Sequence, residues 1–466
     1  MSYCAQTLFP AAVLGLFCVA AVAQEGSEAI ELTVYNQGIA LVKDVRTLDL
    51  QEGRQTIQFT DVAALIDPTS VHFSALAKPE SVAILEQNYQ FDLVDSARLL
   101  SKYLGKEITI VRYDQNGKVV SRDKATLLST SGPSVSVAQV GDKIVLNPAG
   151  TVELPELPEG LIVKPTLLWD LVAEKAGATK CEVSYITQGM SWTADYVLVV
   201  NATDTGGDMN GWVTLTNGSG ATYKDAKLKL IAGDVAIAQP PMPQMRAMAG
   251  PAGGAGPQGM VEKPFFEYHM YTLPRTTTVA DRETKQVLLL SAPGMKLKKL
   301  YIFDPTEAWR FSGQDPDKKV AVKLEVKNSE DQGLGMPLPK GRVRVFRADD
   351  EGSLQFIGED NIDHTPRDET VRLYVGNAFD LVGELTQTNH EVLGDRANRD
   401  TYKVSFRNHK KDEAVSITHV AHTWGDWKIT QATAEWIKKD AFTAEFTADV
   451  PADGETEFTY TIERRW

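Results

Sequence analysis

Cysteine is nearly absent, with three among 466 residues, at positions 4, 18 and 181. The first two fall in or just before an apolar N-terminal stretch, residues 11–23 (AAVLGLFCVAAVA). That stretch has the length of a secretory-signal core and is too short to cross a bilayer. Ala21, Val22 and Ala23 form an A-x-A site, so cleavage is expected between Ala23 and Gln24. No Lys or Arg precedes the apolar run, which leaves the amino terminus as its positive charge. After cleavage only Cys181 remains, which excludes an internal disulfide and leaves stability to hydrophobic cores. Cys181 alternates with Val183 and Tyr185, a strand pattern that reads as a buried, inert thiol.

Positive charge is also in deficit: 48 Lys and Arg against 62 Asp and Glu, a net charge of -14. Nucleic acids and anionic membranes are recognised by clustered cations, so neither is an expected partner. Beyond the leader no apolar run approaches the length of a membrane helix, and no transmembrane span is expected in the mature chain. The G-x-S-x-G elbow, the P-loop, the dinucleotide fingerprint and paired-cysteine zinc spacings are missing as well. No cofactor is therefore expected.

Helical periodicity is confined to two short segments. Residues 91–105 (FDLVDSARLLSKYLG) place Leu93, Ala97, Leu100 and Leu104 at helical spacing, with Asp92 as cap and Gly105 as stop. Residues 166–176 (TLLWDLVAEKA) form the second, ending at Gly177. Elsewhere apolar residues alternate with period two between Gly, Asn and Asp turns. The expected fold class is mainly β: multidomain β-sandwiches with a small inserted β-barrel and two short helices.

The chain is too long for one core, and composition divides it. The signal occupies residues 1–23, an N-terminal β domain 24–105, the inserted barrel 106–160, a β-sandwich 161–316 and a C-terminal β-sandwich 317–466. Asn116 and Gly117 read as a type I′ hairpin turn in the insertion. Residues 239–260 hold five Pro, five Gly, four Met and a single charge, Arg246, the composition of a linker that buries no core.

Polar chemistry concentrates in residues 337–380, a β-meander. Val343 and Val345 alternate with Arg342, Arg344 and Arg347, Asp349 to Gly352 make a turn, 354–357 returns, and 371–375 runs out to Gly376. The second bend carries Glu359, Asp360, Asp363, His364, Asp368 and Glu369. Glu359 and Asp363, with His364, are candidate acid–base groups acting on a sugar, and Asp360 with His364 are candidate ligands for a divalent cation. Adjacent acids in a Gly- and Pro-containing bend are turn formers first. A second constellation, HVAHTWGDW, contains His419, His422, Trp424 and Trp427. On a strand the two imidazoles face opposite sides, and the helical H-E-x-x-H arrangement is missing. Trp424 and Trp427, together with Trp436, are candidate sugar-binding faces or core residues.

Several stretches then combine: VYNQGIALVKDVRTLDLQEGRQTIQFTDVAALIDPTSV from Val34, LEQNYQFDL from Leu85, WTADYVLVV from Trp192, NGSGATYKDAKLKLIAGD from Asn217, and PLPKGRVRVF with IGEDNIDHTPRDE and VGNAFD. Together they resemble the bacterial domain of unknown function 4139 family, related to mucoidy inhibitor A-like proteins, over nearly the whole mature chain. The resemblance implies an exported, β-rich protein and supplies no catalytic residues. The mucoidy-inhibitor-like members commonly carry a coiled-coil insertion, where this chain has a β insertion.

These readings converge on a periplasmic or extracellular β-sandwich protein acting as a structural or interaction module of the cell envelope. Its expected partner is an envelope protein or a polysaccharide. A metal-dependent or acid–base hydrolase built on residues 359–369, and a carbohydrate-binding protein, are the alternatives.

Overall fold

The computed structural model describes residues 26–90, 95–156, 164–233, 235, 260–265, 268–305 and 318–466. The leader with its cleavage point at Ala23 and Gln24 lies outside the described residues, as does the 239–260 linker apart from Met260.

Period-two alternation produces strands almost throughout. The chain begins with β1 (Ala29–Tyr35), β2 (Ile39–Leu50), β3 (Gly53–Thr60), β4 (His72–Ala75) and β5 (Val82–Gln90). A helix, α1 (Ser96–Lys102), then leads into β6 (Glu107–Tyr113), β7 (Val119–Ser131), β8 (Ser134–Val140), β9 (Lys143–Leu146) and β10 (Thr151–Glu153). The central part contains β11 (Thr166–Ala173), β12 (Gly177–Gln188), β13 (Met190–Val200), β14 (Gly206–Asn217), β15 (Tyr223–Ala232), β16 (Val261–Phe265), β17 (Tyr268–Val279), β18 (Glu283–Lys296) and β19 (Lys298–Phe303). It is followed by β20 (Lys319–Lys327), β21 (Gly341–Ala348), β22 (Leu354–Ile362), β23 (Thr370–Gly394), β24 (Ala397–Asn408) and β25 (Val415–His422). The chain finishes with β26 (Asp426–Ala432), β27 (Glu435–Lys438), β28 (Thr443–Val450) and β29 (Gly454–Arg465).

Among the described residues three hydrophobic cores organise these strands. The central core is shared by a seven-stranded sheet (β16-β17-β15-β1-β2-β12-β4), a three-stranded sheet (β3-β11-β5) and a five-stranded sheet (β18-β14-β13-β21-β22). A C-terminal core fills a nine-stranded sheet, β26-β29-β24-β23-β20-β19-β25-β28-β27, with aromatic rings from Phe303, Phe406, Phe446 and Phe458. The third core is small and belongs to the insertion, where Leu100 and Tyr103 cover Ile108, Ile110 and Leu127.

These cores cut across the boundaries read from composition. β1 pairs in parallel with β15, and β2 pairs with β12 along its whole length, so residues before and after the insertion share one core. β19 lies before residue 316 yet pairs with β20 and β25 of the C-terminal lobe, whereas β21, beyond it, pairs with β13 of the central lobe. β20 and β23 serve both: Leu324, Val326, Val371 and Leu373 are buried in the central core, Val320 and Leu381 in the C-terminal one.

Three local expectations are corrected. Residues 166–176 are not a helix: β11 runs between β3 and β5, with Leu167, Trp169, Leu171 and Ala173 buried and Asp170 outward against Arg54. Trp169 packs on Phe59 and Phe73, and this cross-sheet burial overrides the helix-forming AEKA tail. The insertion is an open five-stranded sheet, β10-β6-β7-β8-β9, with no closed barrel among the described residues. At Asn116-Gly117 only Gly117 has a positive φ, 77°, so the turn is a right-handed turn closed by a left-handed glycine instead of type I′. Asp114 accepts from the Asn116 and Lys118 amides, as Asp349 does from Glu351 and Ser353, so each of these turns commits a carboxylate oxygen to its own backbone.

Helix α1 matches the first expected helix in place but is capped by Asp95, whose carboxylate accepts from the Arg98 amide; Asp92 lies outside the described residues. In the meander, Val343 and Val345 are buried as their alternation requires. β22 extends to Ile362, which takes Glu359 and Asp360 out of the bend and into a strand, and β23 continues far past Gly376.

Candidate functional site

The acidic cluster of the meander does not converge. Glu359 is exposed on β22 and pairs with Arg344 at 3.4 Å. Asp360 turns to the other side and accepts from the Asn361 and Tyr374 amides at 2.8 and 2.7 Å, fastening β22 to β23. Asp363 is exposed, with its backbone carbonyl bonded to the Thr365 hydroxyl, and His364 Nδ1 accepts from the Lys340 amide. Among the described residues no group of three or more His, Cys, Asp or Glu is placed to hold a metal ion. The two candidate metal ligands, Asp360 and His364, thus have separate backbone partners.

A different set of residues does come together, at one end of the C-terminal sandwich. Along β24 the core face reads Phe406, Val404, Tyr402, Asp400 and Asn398; along β29 it reads Phe458, Tyr460, Ile462 and Arg464. Period two carries the same face from aromatic to charged. Asn398 lies opposite Arg464, and Tyr402 opposite Tyr460, with the two phenol rings stacked at 5.3 Å. The register of β23 on β24 shifts between Gln387 and Asn389, a bulge that lets Gln387 and His390, three residues apart, reach one target.

That target is Asp400, which is buried. Oδ1 accepts from Gln387 Nε2 at 2.9 Å and lies 2.5 Å from His390 Nδ1, while Oδ2 accepts from Arg464 Nη1 at 2.5 Å and Asn398 Nδ2 at 3.2 Å. Arg464 is buried too, donates Nε to Thr423, and lies over the Tyr402 ring. Four donors saturate the carboxylate, which is what keeps a buried charge tolerable. Asn398 Oδ1, however, has no hydrogen-bond partner.

His419 contributes to the floor of the cleft. Its Nδ1 lies 3.3 Å from the Phe303 carbonyl, which can only accept, so Nδ1 carries the proton and Nε2 accepts from the Tyr460 hydroxyl at 3.3 Å. Burial pushes its pKa down to about 4, against the smaller opposing pull of the Phe303 carbonyl, and the imidazole is neutral at pH 7. Burial raises the Tyr460 phenol well above its ordinary value. His422 starts from the opposite face of the strand, pairs with Asp304 at 3.1 Å and still reaches the cleft.

The cleft encloses about 560 Å³, within the roughly 300–1,000 Å³ of small-molecule sites. Trp424 lines it and packs against Trp466, and it keeps 39 % of its surface exposed. Trp427 is buried instead, its indole N–H bonded to the Ala441 carbonyl and Lys438 lying over its ring. Trp436 is on β27, in contact with Phe446.

No known protein family matches this chain, and no curated protein does. The chemistry of the cleft therefore rests on its own residues. His390 beside a buried Asp has the pairing of a base with its orienting carboxylate. The nearby Thr388 hydroxyl is bonded to the Thr401 carbonyl and not to that imidazole. The cleft sets an exposed indole beside a dense set of neutral and charged hydrogen-bonding groups.

Of the residues singled out in the sequence, Trp424, His419 and His422 line this cleft. Gln387, His390, Asn398, Asp400 and Arg464 drew no attention there. The signal available was Asn398 and Asp400 standing in phase with Tyr402, Val404 and Phe406, polar residues on an apolar stripe.

Proposed function

We propose that this protein is an exported β-sandwich protein of the cell envelope that binds polysaccharide in the C-terminal cleft. Export is supported by the apolar leader ending at Ala23, and the envelope setting by the resemblance to the domain of unknown function 4139 family. The observation that carries the binding reading is the pairing of half-exposed Trp424 with the polar wall formed by Asn398, Asp400 and Arg464. An indole face accepts the C–H face of a sugar ring, and the wall atoms not committed to Asp400 are left to meet its hydroxyls. Asn398 Oδ1, which has no donor, is suited to accept from one of them.

The test is affinity electrophoresis and calorimetry against a panel of bacterial envelope polysaccharides. Trp424→Ala is expected to weaken binding at least ten-fold while leaving the melting temperature unchanged, because the indole lies at the surface. Retention of full affinity in that variant, or failure of every polysaccharide to bind the wild type, rejects the assignment. The reading gives Glu359 and Asp363 no catalytic part, and Glu359→Ala is expected to bind as the wild type does.

A further inference from the structure

The central lobe contains a larger cavity, about 770 Å³, with an ion pair in its wall. On β2 the buried face runs Ala40, Val42, Asp44, Arg46, Leu48 and Leu50. Alternation demands apolar residues at the third and fourth of these positions, and the chain instead places a carboxylate and a guanidinium, each about one-twentieth exposed. Arg46 donates Nε at 3.0 Å and Nη2 at 2.6 Å to the same oxygen, Asp44 Oδ2, and Nη1 at 2.9 Å to the Thr60 carbonyl, while its guanidinium sits 4.0 Å over the Phe59 ring. Both Arg46 contacts to the carboxylate therefore fall on one oxygen. Asp44 Oδ1 has no hydrogen-bond partner.

A buried ion pair is weak evidence for stability, since apolar residues of similar volume commonly do as well or better. A carboxylate oxygen left without a donor is costly, and calls for a partner from outside the chain. The cavity beside it is also lined by Tyr185 and Tyr223. Tyr185 accepts from the Ala63 amide at 3.3 Å, and Tyr223 is bonded to Ser219 at 3.0 Å, so both phenols are fixed in place. The lining also includes Lys164, Lys224 and Arg282 against Asp61 and Asp281, and the buried pair adds no net charge. That near-neutral, slightly basic setting gives no reason to gather a cation.

We infer that this cavity is a binding site for a small neutral polyol, a mono- or disaccharide, which donates a hydroxyl to Asp44 Oδ1 and packs against Tyr185 and Tyr223. The site lies in a different lobe from the C-terminal cleft and stands without the reading given to that cleft.

The experiment is calorimetric titration of the full chain, in the Trp424→Ala background to silence the other cleft, with maltose, cellobiose, lactose and diacetylchitobiose, and with putrescine as a cationic control. At least one disaccharide is expected to bind. The paired substitution Asp44→Leu with Arg46→Met is expected to hold or raise the melting temperature and to abolish that binding. Tyr223→Leu, which keeps an apolar side chain but removes the ring the sugar packs against, is expected to weaken binding several-fold and serves if the paired variant fails to fold. Equal affinity in these variants overturns the inference. So does the absence of disaccharide binding to the parent, which would assign the Oδ1 partner to an ordered water, or binding of putrescine alone.

Discussion

His419 is the residue whose ionisation the fold suppresses most legibly. Its folded pKa of about 4 lies below the ordinary 6.5, so on acidification the unfolded chain takes the proton first. The sign follows: the stabilisation is complete above pH 6.5, falls as pH drops, and is gone by about pH 4. The loss attributable to this one group is about 3 kcal/mol. Urea midpoints between pH 7 and 4 are expected to fall less steeply in His419→Gln, which keeps polar partners for Phe303 and Tyr460 but cannot titrate. The same residue shows what the sequence revealed of the site. His419 and Trp424 stood out because imidazole and indole are rare there, while Asp400 and Arg464 did not, being 64 positions apart and ordinary by type. A bulge at Thr388 that aligns Gln387 with His390 leaves no trace in composition.

Among the elements, β11 carries the sharpest test. Trp169 is fully buried against Phe59 and Phe73, with its indole N–H bonded to Gln87 at 2.9 Å. Trp169→Ala is expected to destabilise the central lobe by about 3–5 kcal/mol, measured as a drop in urea midpoint. The strands of the C-terminal half were legible because Tyr402 to Phe406 and Val415 to Thr418 alternate without interruption. β11 alternates as well, through Leu167, Trp169, Leu171 and Ala173, but Leu168 and Val172 on its other face blur the period. What the sequence could not convey was partnership. Nothing local says that β21 lies beside β13, or that β23 runs from one core into the next, because pairing is decided by distant faces that fit.

At the scale of the molecule, the insertion is spliced into a hairpin: Gln90, the last residue of β5, pairs with Thr166, the first of β11. With its own core and its ends adjacent, it is separable. Replacing residues 91–165 by a short Asn-Gly turn is expected to leave the remaining lobes folded, seen as an unchanged melting transition. In contrast, the central and C-terminal lobes share β20 and β23 and are expected to unfold together. Cys181 reports that event: burial raises its thiol pKa to about 12, so a thiol reagent labels the chain only as the central lobe opens.

The parallel pairing of Glu31 with Lys227 has a consequence for biogenesis. A ribosome adding roughly 5–20 residues per second leaves the outer edge of β1 without its neighbour for roughly 10–40 s. Throughout that interval the nascent hairpin presents a naked backbone edge to every other strand nearby. Holdase chaperones that keep the lengthening polypeptide extended are therefore built into what this topology demands of its host.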